Sequence, residues 1–209
     1  MSLGMTALAP FLLGLALGLR HACDADHVVA VATIVARERN PLRSGFVGAC
    51  WGLGHSATLL LVGGAVVALR WRLSPLLAPA AELLVALLLV WLGATGWRGV
   101  SSRPARPRVG SARPFWVGAA HGLAGSGGLA LLALAATPSA LLGLVYLGCF
   151  ALGATVGMVA LTSVMSWPMR AGGPVGHRVV RAVSALSVAL GFGCAAALVR
   201  AWTTRGGPL

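Results

Sequence analysis

The sequence predicts an all-α integral membrane protein with six transmembrane helices arranged as a 3+3 inverted repeat. Three observations predict it. Of the 209 residues, 58% are hydrophobic and 10% charged, with a mean hydropathy of +0.88, far from the roughly 25% charged of a soluble domain. Apolar runs recur every ~25–35 residues, long enough at about 1.5 Å per residue to cross about 30 Å of hydrocarbon as helices. Slid along itself by one hundred residues, the chain lays Gly18 on Gly118, His21 on His121, Gly48 on Gly148, Arg70 on Arg170 and Gly93 on Gly193. Alternating ten-residue segments of the barrel type are absent.

The expected spans are residues 8–36, 44–69, 76–97, 115–136, 141–167 and 179–202, read as apolar runs between arginine- and proline-bearing connectors. The first nineteen residues are apolar but have no basic lead-in and no small-residue cleavage site, so they read as the first membrane helix and not as a signal peptide. That first span is longer than one crossing needs and carries a polar motif in its middle, so a break or strong tilt is expected near His21. Residues 1–100 form the first three-helix repeat. Residues 101–113, beginning Ser101-Ser102-Arg103-Pro104-Ala105-Arg106-Pro107-Arg108, cannot be a helix interior and read as a flexible cytoplasmic linker. Residues 114–209 form the second repeat. With an odd number of spans in each half, two related halves must insert in opposite orientations, as in many secondary transporters.

The formal charge is +12, and all sixteen basic residues are arginines. Arg37, Arg39, Arg43, Arg98, Arg103, Arg106, Arg108, Arg113, Arg170, Arg178 and Arg181 fall on one side of the membrane, while Arg70, Arg72, Arg200 and Arg205 fall on the other. The positive-inside bias puts the odd-numbered connectors in the cytoplasm and both termini outside a cell-membrane protein. Arginine placed this way is a topogenic signal, and the chain lacks the basic helix face or aromatic platform that nucleic-acid binding needs. Cys23, Cys50, Cys149 and Cys194 lie within spans, where isolated thiols pack as small hydrophobes; no disulfide is expected.

Chemistry concentrates in His21-Ala22-Cys23-Asp24-Ala25-Asp26-His27, which holds two of the four acidic side chains and two of the five histidines. Each charged group at mid-membrane depth costs about 2.5–3.5 kcal/mol on insertion scales, so such groups pair, bind an ion or line a path. Four clustered ligand-type groups point to a cation. On an unbroken helix Asp24 shares a face with His21 and His27, while Asp26 points roughly the opposite way. Asp26 joins the others either by local unwinding or as a hydrogen-bond partner that orients an imidazole. Mixed imidazole and carboxylate donors suit nickel, cobalt or zinc; calcium and magnesium prefer oxygen alone, and copper(I) wants clustered sulfur. The second span adds His55 in Trp51-Gly52-Leu53-Gly54-His55-Ser56, and the second half adds His121 in His121-Gly122-Leu123-Ala124-Gly125-Ser126-Gly127-Gly128. There the motif's acids are replaced by small residues, so one site with a supporting wall is expected. The metal residues are therefore His21, Asp24, Asp26, His27, His55 and His121. Glu82 and His177 read as interface and connector residues, and Arg20 could pair with either acid.

Arg20-His21-Ala22-Cys23-Asp24-Ala25-Asp26-His27 resembles the signature of the nickel/cobalt transporter family: a histidine, four residues, then Asp-His. Gly52-Leu53-Gly54-His55-Ser56 resembles that family's second signature, and the segment from His121 is similar to the short urease-accessory nickel permeases. The resemblance implies a secondary permease importing Ni²⁺ or Co²⁺, with His21, Asp26 and His27 required for ion recognition and His55 close by. No resident cofactor is implied: the transported ion is the ligand and the bilayer the environment, with a homo-oligomer or accessory subunits open. Two alternatives stay within transport, namely an efflux permease of the same superfamily and the membrane component of a multi-subunit importer. An enzyme is not expected, because the His-Glu-x-x-His of a membrane metalloenzyme and the phosphate-binding loop of an ATPase are both missing.

Overall fold

The computed structural model describes residues 2–36, 38, 40–69, 76–99, 112–123, 139–169 and 173–205. Among them are seven helices and no strand: α1 (Ser2–His21), α2 (Ala25–Val35), α3 (Pro41–Leu69), α4 (Leu77–Gly99), α5 (Arg113–Leu123), α6 (Ala140–Met169) and α7 (Gly173–Arg205). Four of these, α3, α4, α6 and α7, are long and apolar enough to cross a membrane. The linker at 101–111, the rest of the fourth expected span after Leu123, and Arg37, Arg39, Arg70, Arg72, Arg103, Arg106, Arg108 and Arg170 lie outside the described residues.

Local chemistry sets the helix ends. Asn40 caps α3, its Oδ1 accepting from the Leu42 and Arg43 amides at 2.9 and 3.4 Å, with Pro41 at the first helical position where a missing N–H costs nothing. Ser139 caps α6 through the Leu142 amide at 3.2 Å. The last helix starts at Gly173, earlier than expected, with Pro174 in its first turn. His177, Arg178 and Arg181 therefore sit on helix and not in a connector.

The expected break in the first span falls at Ala22–Asp24. The end of α1 tightens into three-residue bonds, Cys23 N–H to Arg20 O at 2.9 Å and Asp24 N–H to His21 O at 3.0 Å. Asp24 then turns extended, at φ −62° and ψ 147°, and α2 begins with the Val28 amide bonded to the Asp24 carbonyl at 2.9 Å. Asp24 holds the cap position without using its carboxylate there, because that carboxylate is engaged by His21. Arg20 and His21 occupy the negative end of one helix dipole and Asp26 the positive end of the next, both favourable placements.

Helix α6 packs along α1 and α3, α5 packs along α3, and α4 along α7, while α2 touches α4, α6 and α7. Its His27, Val29, Ala30, Val31, Ala32 and Val35 are all buried, as expected of a helix that is apolar nearly all round. Large apolar side chains also cover the outside, Leu61, Leu87, Val164, Leu186 and Phe192 among them, each more than half exposed. An apolar exterior around a core made partly of histidine, serine and threonine suits a lipid surround.

The helix crossings come in matched pairs. A side chain at Gly18 would strike the backbone of Phe150 and Ala154, and one at Gly118 the backbone of Trp51. A side chain at Gly54 would strike Phe115 and Ala119; at Gly153, Leu15 and Leu19. Leu15 and Phe115, like Leu19 and Ala119, are one hundred residues apart, whereas Gly54 and Gly153 are ninety-nine apart. The third pair is offset by ninety-eight: Gly93 meets Ser184 and Val188, and Gly191 meets Ala86 and Val90. The correspondence thus loses one residue from helix pair to helix pair. Gly148 and Gly193, which a constant offset aligns with Gly48 and Gly93, have nothing within 4 Å of an added Cβ. These contacts predict opposite outcomes for two chemically identical substitutions. Gly54→Ala should cost about 1–3 kcal/mol by overpacking and lower the melting temperature in detergent, while Gly148→Ala should leave it unchanged or raise it slightly through helix propensity.

Candidate metal centre

Glycine lets backbone reach backbone around the break, and that closeness assembles the site. On α5, Gly118 and Gly122 lie against the main chain of Trp51 and His55, which brings His121 to the α3 face that carries His55. On α6, Gly153 and Gly157 receive α1 at Leu15, Leu19 and Ala22, which seats His21 over Phe150, ring centroids 5.2 Å apart. Ser56 ties α3 to α6 through the Ala151 carbonyl at 3.0 Å.

Four histidines from four helices converge there. His21, His27, His55 and His121 are 4, 1, 2 and 0% exposed, so none is a solvated surface group. His27 is the hub, with ring centroids 4.3 Å from His21, 5.1 Å from His55 and 4.5 Å from His121. Trp51 closes one side, its indole 5.4 Å from both His27 and His121. Trp51 and Phe150 were not expected as site walls; the Gly-flanked Trp51 carried a hint in its neighbourhood, whereas Phe150 carried none.

Both acids are used as imidazole partners. His21 Nδ1 donates to Asp24 Oδ2 at 2.8 Å, His27 Nδ1 to Asp26 Oδ1 at 3.1 Å and His121 Nε2 to Asp26 Oδ2 at 3.1 Å. The two readings left open for Asp26 are therefore combined: the unwinding turns it inward, and there it orients imidazoles. Neither acid forms an ion pair with Arg20 among the described residues. Glu82 on α4 and His177 on α7 are both exposed. Cys23 is exposed at the break and the other three thiols are free.

The carboxylates assign the tautomers. With Nδ1–H of His21 held by Asp24, its Nε2 accepts from His55 Nε2–H at 3.2 Å. This leaves His27 Nε2, His55 Nδ1 and His121 Nδ1 as bare lone pairs, all buried and without a hydrogen-bond partner among the described residues. Unpartnered buried polar atoms cost about 1–3 kcal/mol each, and an electron-pair acceptor beside such a nitrogen would remove that cost. The spacing agrees. Two nitrogens bound at about 2.0–2.1 Å to one tetrahedral ion lie about 3.3 Å apart, close to the 3.2 Å between the Nε2 atoms of His21 and His55, where an ion would take the place of the shared proton as it moves to His55 Nδ1. Donor atoms of His21, His27 and His55 all lie within 4.8 Å of one another, and so do those of Asp26, His27 and His121. Asp24 belongs to neither set and acts on His21 from outside.

No family model matches the chain, and no solved structure does. A curated relative does: the urease accessory protein UreH of Bacillus sp. (strain TB-90) is 31% identical over 172 residues, covering 75% of each chain. Its name is that of an accessory protein and not of an enzyme, in keeping with the sequence reading. A match of that identity and extent, to a chain whose histidine and aspartate signature had already pointed the same way, places this protein in the UreH family of urease accessory proteins, the urease-accessory branch of the nickel/cobalt transporters.

Proposed function

We propose that the protein is a six-span secondary permease that carries Ni²⁺, or Co²⁺, into the cell through the intramembrane cluster of His21, Asp24, Asp26, His27, His55 and His121. The observation that carries this reading is the meeting of four buried imidazoles and a bridging carboxylate at a helix break, where donor atoms gather into two groups close enough to hold a cation. Kinship with a urease accessory protein supports nickel in particular, since the segment from His121 resembles the short urease-accessory nickel permeases.

In this reading residues 1–100 and 114–209 are inverted three-helix repeats joined by the cytoplasmic linker 101–113, and both termini face outward. The matched crossings at Gly18 and Gly118, Gly54 and Gly153, and Gly93 and Gly191 support the repeat. Trp97, Trp116 and Trp167 are exposed near helix ends on the arginine-rich side and Trp202 on the opposite side, as interfacial belts require. Alternating access is then a rocking of the two repeats about the broken helix. Two positive charges gain about 4.6 kcal/mol from a 100 mV inside-negative potential, enough for roughly a thousandfold accumulation with no ATP.

Purified protein alone in liposomes should take up nickel, faster when an inside-negative potential is imposed, with cobalt competing; lack of uptake without other subunits would point to a multi-component importer. His21→Ala and His27→Ala should each reduce uptake at least about a hundredfold in the same assay, and normal uptake by either would sink the proposed site. Asp24→Asn removes only the orienting partner of His21, so the apparent nickel affinity should fall about 10–100-fold while the rate at saturating nickel stays near that of the parent. Cells carrying an importer become more sensitive to nickel, and protection by the protein would instead indicate efflux.

A further inference from the structure

The donors do not form one set. His27 lies within about 5 Å of the other three imidazoles, but the His55 and His121 ring centroids are 6.3 Å apart, and the two groups of mutually close donors share His27 alone. Two donors that share an ion with bonds of about 2.1 Å can be no farther apart than about 4.2 Å, so no single point serves all five side chains without movement. One set, His21, His27 and His55, comes wholly from the first half of the chain. The other, Asp26, His27 and His121, is completed from the second half.

Resting on the permease reading, we propose that these are two successive positions of one ion, and that His27 is the ligand it keeps while it is handed from the first set to the second. At the first position the His55 proton sits on Nδ1, so that its Nε2 faces the ion beside His21 Nε2; coordinate bonds to His21 and His55 break as bonds to Asp26 and His121 form, that proton returns to Nε2, and no electron is transferred. His27 suits the pivot because it offers one nitrogen to each position: Nε2 is buried and unpartnered, and Nδ1 stands 3.1 Å from Asp26 Oδ1, where the ion takes the place of the ring proton as that proton passes to Nε2. At the second position Asp26 offers Oδ2, and the His121 proton now donated to that oxygen passes to its Nδ1, so that Nε2 faces the ion.

The scaffold makes such a handover directional. His21 is borne by α1, which packs on α6; His121 is borne by α5, which packs on α3; and these two crossings are the matched pair at Gly18 and Gly118. His21 and His121 are themselves one hundred residues apart. Exchange of one histidine for its counterpart therefore moves the ion from a position completed by α1 to one completed by α5, and a relative movement of these two helices changes which set is assembled. Because both positions need His27, occupancy is one ion at a time.

The test combines equilibrium nickel binding, nickel-edge X-ray absorption and liposome uptake on the full-length protein. The parent should bind one Ni²⁺. His55→Ala and His121→Ala should each still bind one, with affinity changed by less than about tenfold, because the other position survives. Both should lose at least about twentyfold in uptake, because the ion cannot be passed on. Absorption should show three imidazoles in His121→Ala, and fewer imidazoles with an added carboxylate oxygen in His55→Ala. His121→Gln, which keeps a donor for Asp26 but offers no ring nitrogen, should match His121→Ala and guards against a folding defect. Two results would overturn the handover: His55→Ala and His121→Ala weakening binding as severely as His27→Ala, which means a single site, or full-rate uptake by His121→Gln. A parent protein that neither binds nor takes up nickel would instead overturn the permease reading beneath it.

Discussion

The carboxylate of Asp26 is the contact on which the site depends. Its two oxygens accept from His27 on its own helix and from His121 on α5, ninety-five residues away in sequence. One side chain thereby sets the tautomers of two imidazoles and joins the first half of the chain to the second at the level of the histidine cluster. It can do so only because the helix breaks. On a continuous helix Asp26 faces away from Asp24 and both histidines, and the extended residue at Asp24 is what rotates it inward. In hydrocarbon, freed backbone groups at such a break are tolerated only inside protein, and here Ala22, His21 and His27 are all buried against α3, α5 and α6.

Close helix approach is the second constraint. Imidazole is short, so four rings on four helices meet only if the backbones nearly touch. The glycines at 18, 54, 118, 122 and 153 permit this, each facing a carbonyl or amide of the opposite helix. Serine and threonine then replace part of the apolar contact between helices, as with Ser56 on Ala151 and Ser187 on the Leu89 carbonyl at 2.8 Å. Between helices in lipid such bonds contribute modestly, about 0.6 kcal/mol on average. Shape, set by small residues, has to carry most of the association.

Much of this was legible in the order of residues. The cost of placing two acids and two histidines in an apolar span marked the site, and the conflict between the facing positions of Asp24 and Asp26 pointed to the broken helix that the structure has. The partner of His121 was not legible, since nothing local in a segment rich in glycine and serine indicates an aspartate ninety-five residues away. The register of the two halves was half legible. A constant offset suits the first matched helices, but the contacts shift to ninety-nine and then ninety-eight, and Gly148 and Gly193 do not share the close contacts of Gly48 and Gly93. A sequence slide has no means of seeing residues lost between helices, whereas a backbone contact does.

In the permease reading proposed above, charge favours a divalent ion at this place. Histidine donors contribute no charge when they bind as neutral rings, so the balance rests on the carboxylates of Asp24 and Asp26. Two ionised carboxylates and one divalent cation sum to zero. A monovalent ion would leave the assembly negative and a trivalent ion positive, and either net charge at membrane depth costs several kcal/mol more. Asp24 is the more exposed of the two acids, at 42% against 31% for Asp26, so the charge nearer water is the one that only supports His21. The charge farther from water is the one that would touch the ion at the second of the two proposed positions. Nitrogen donors then narrow the divalent ions to those that bind imidazole well, which removes magnesium and calcium. Selection by charge and selection by donor type are thus carried by different atoms of the same cluster, and Asp26 takes part in both.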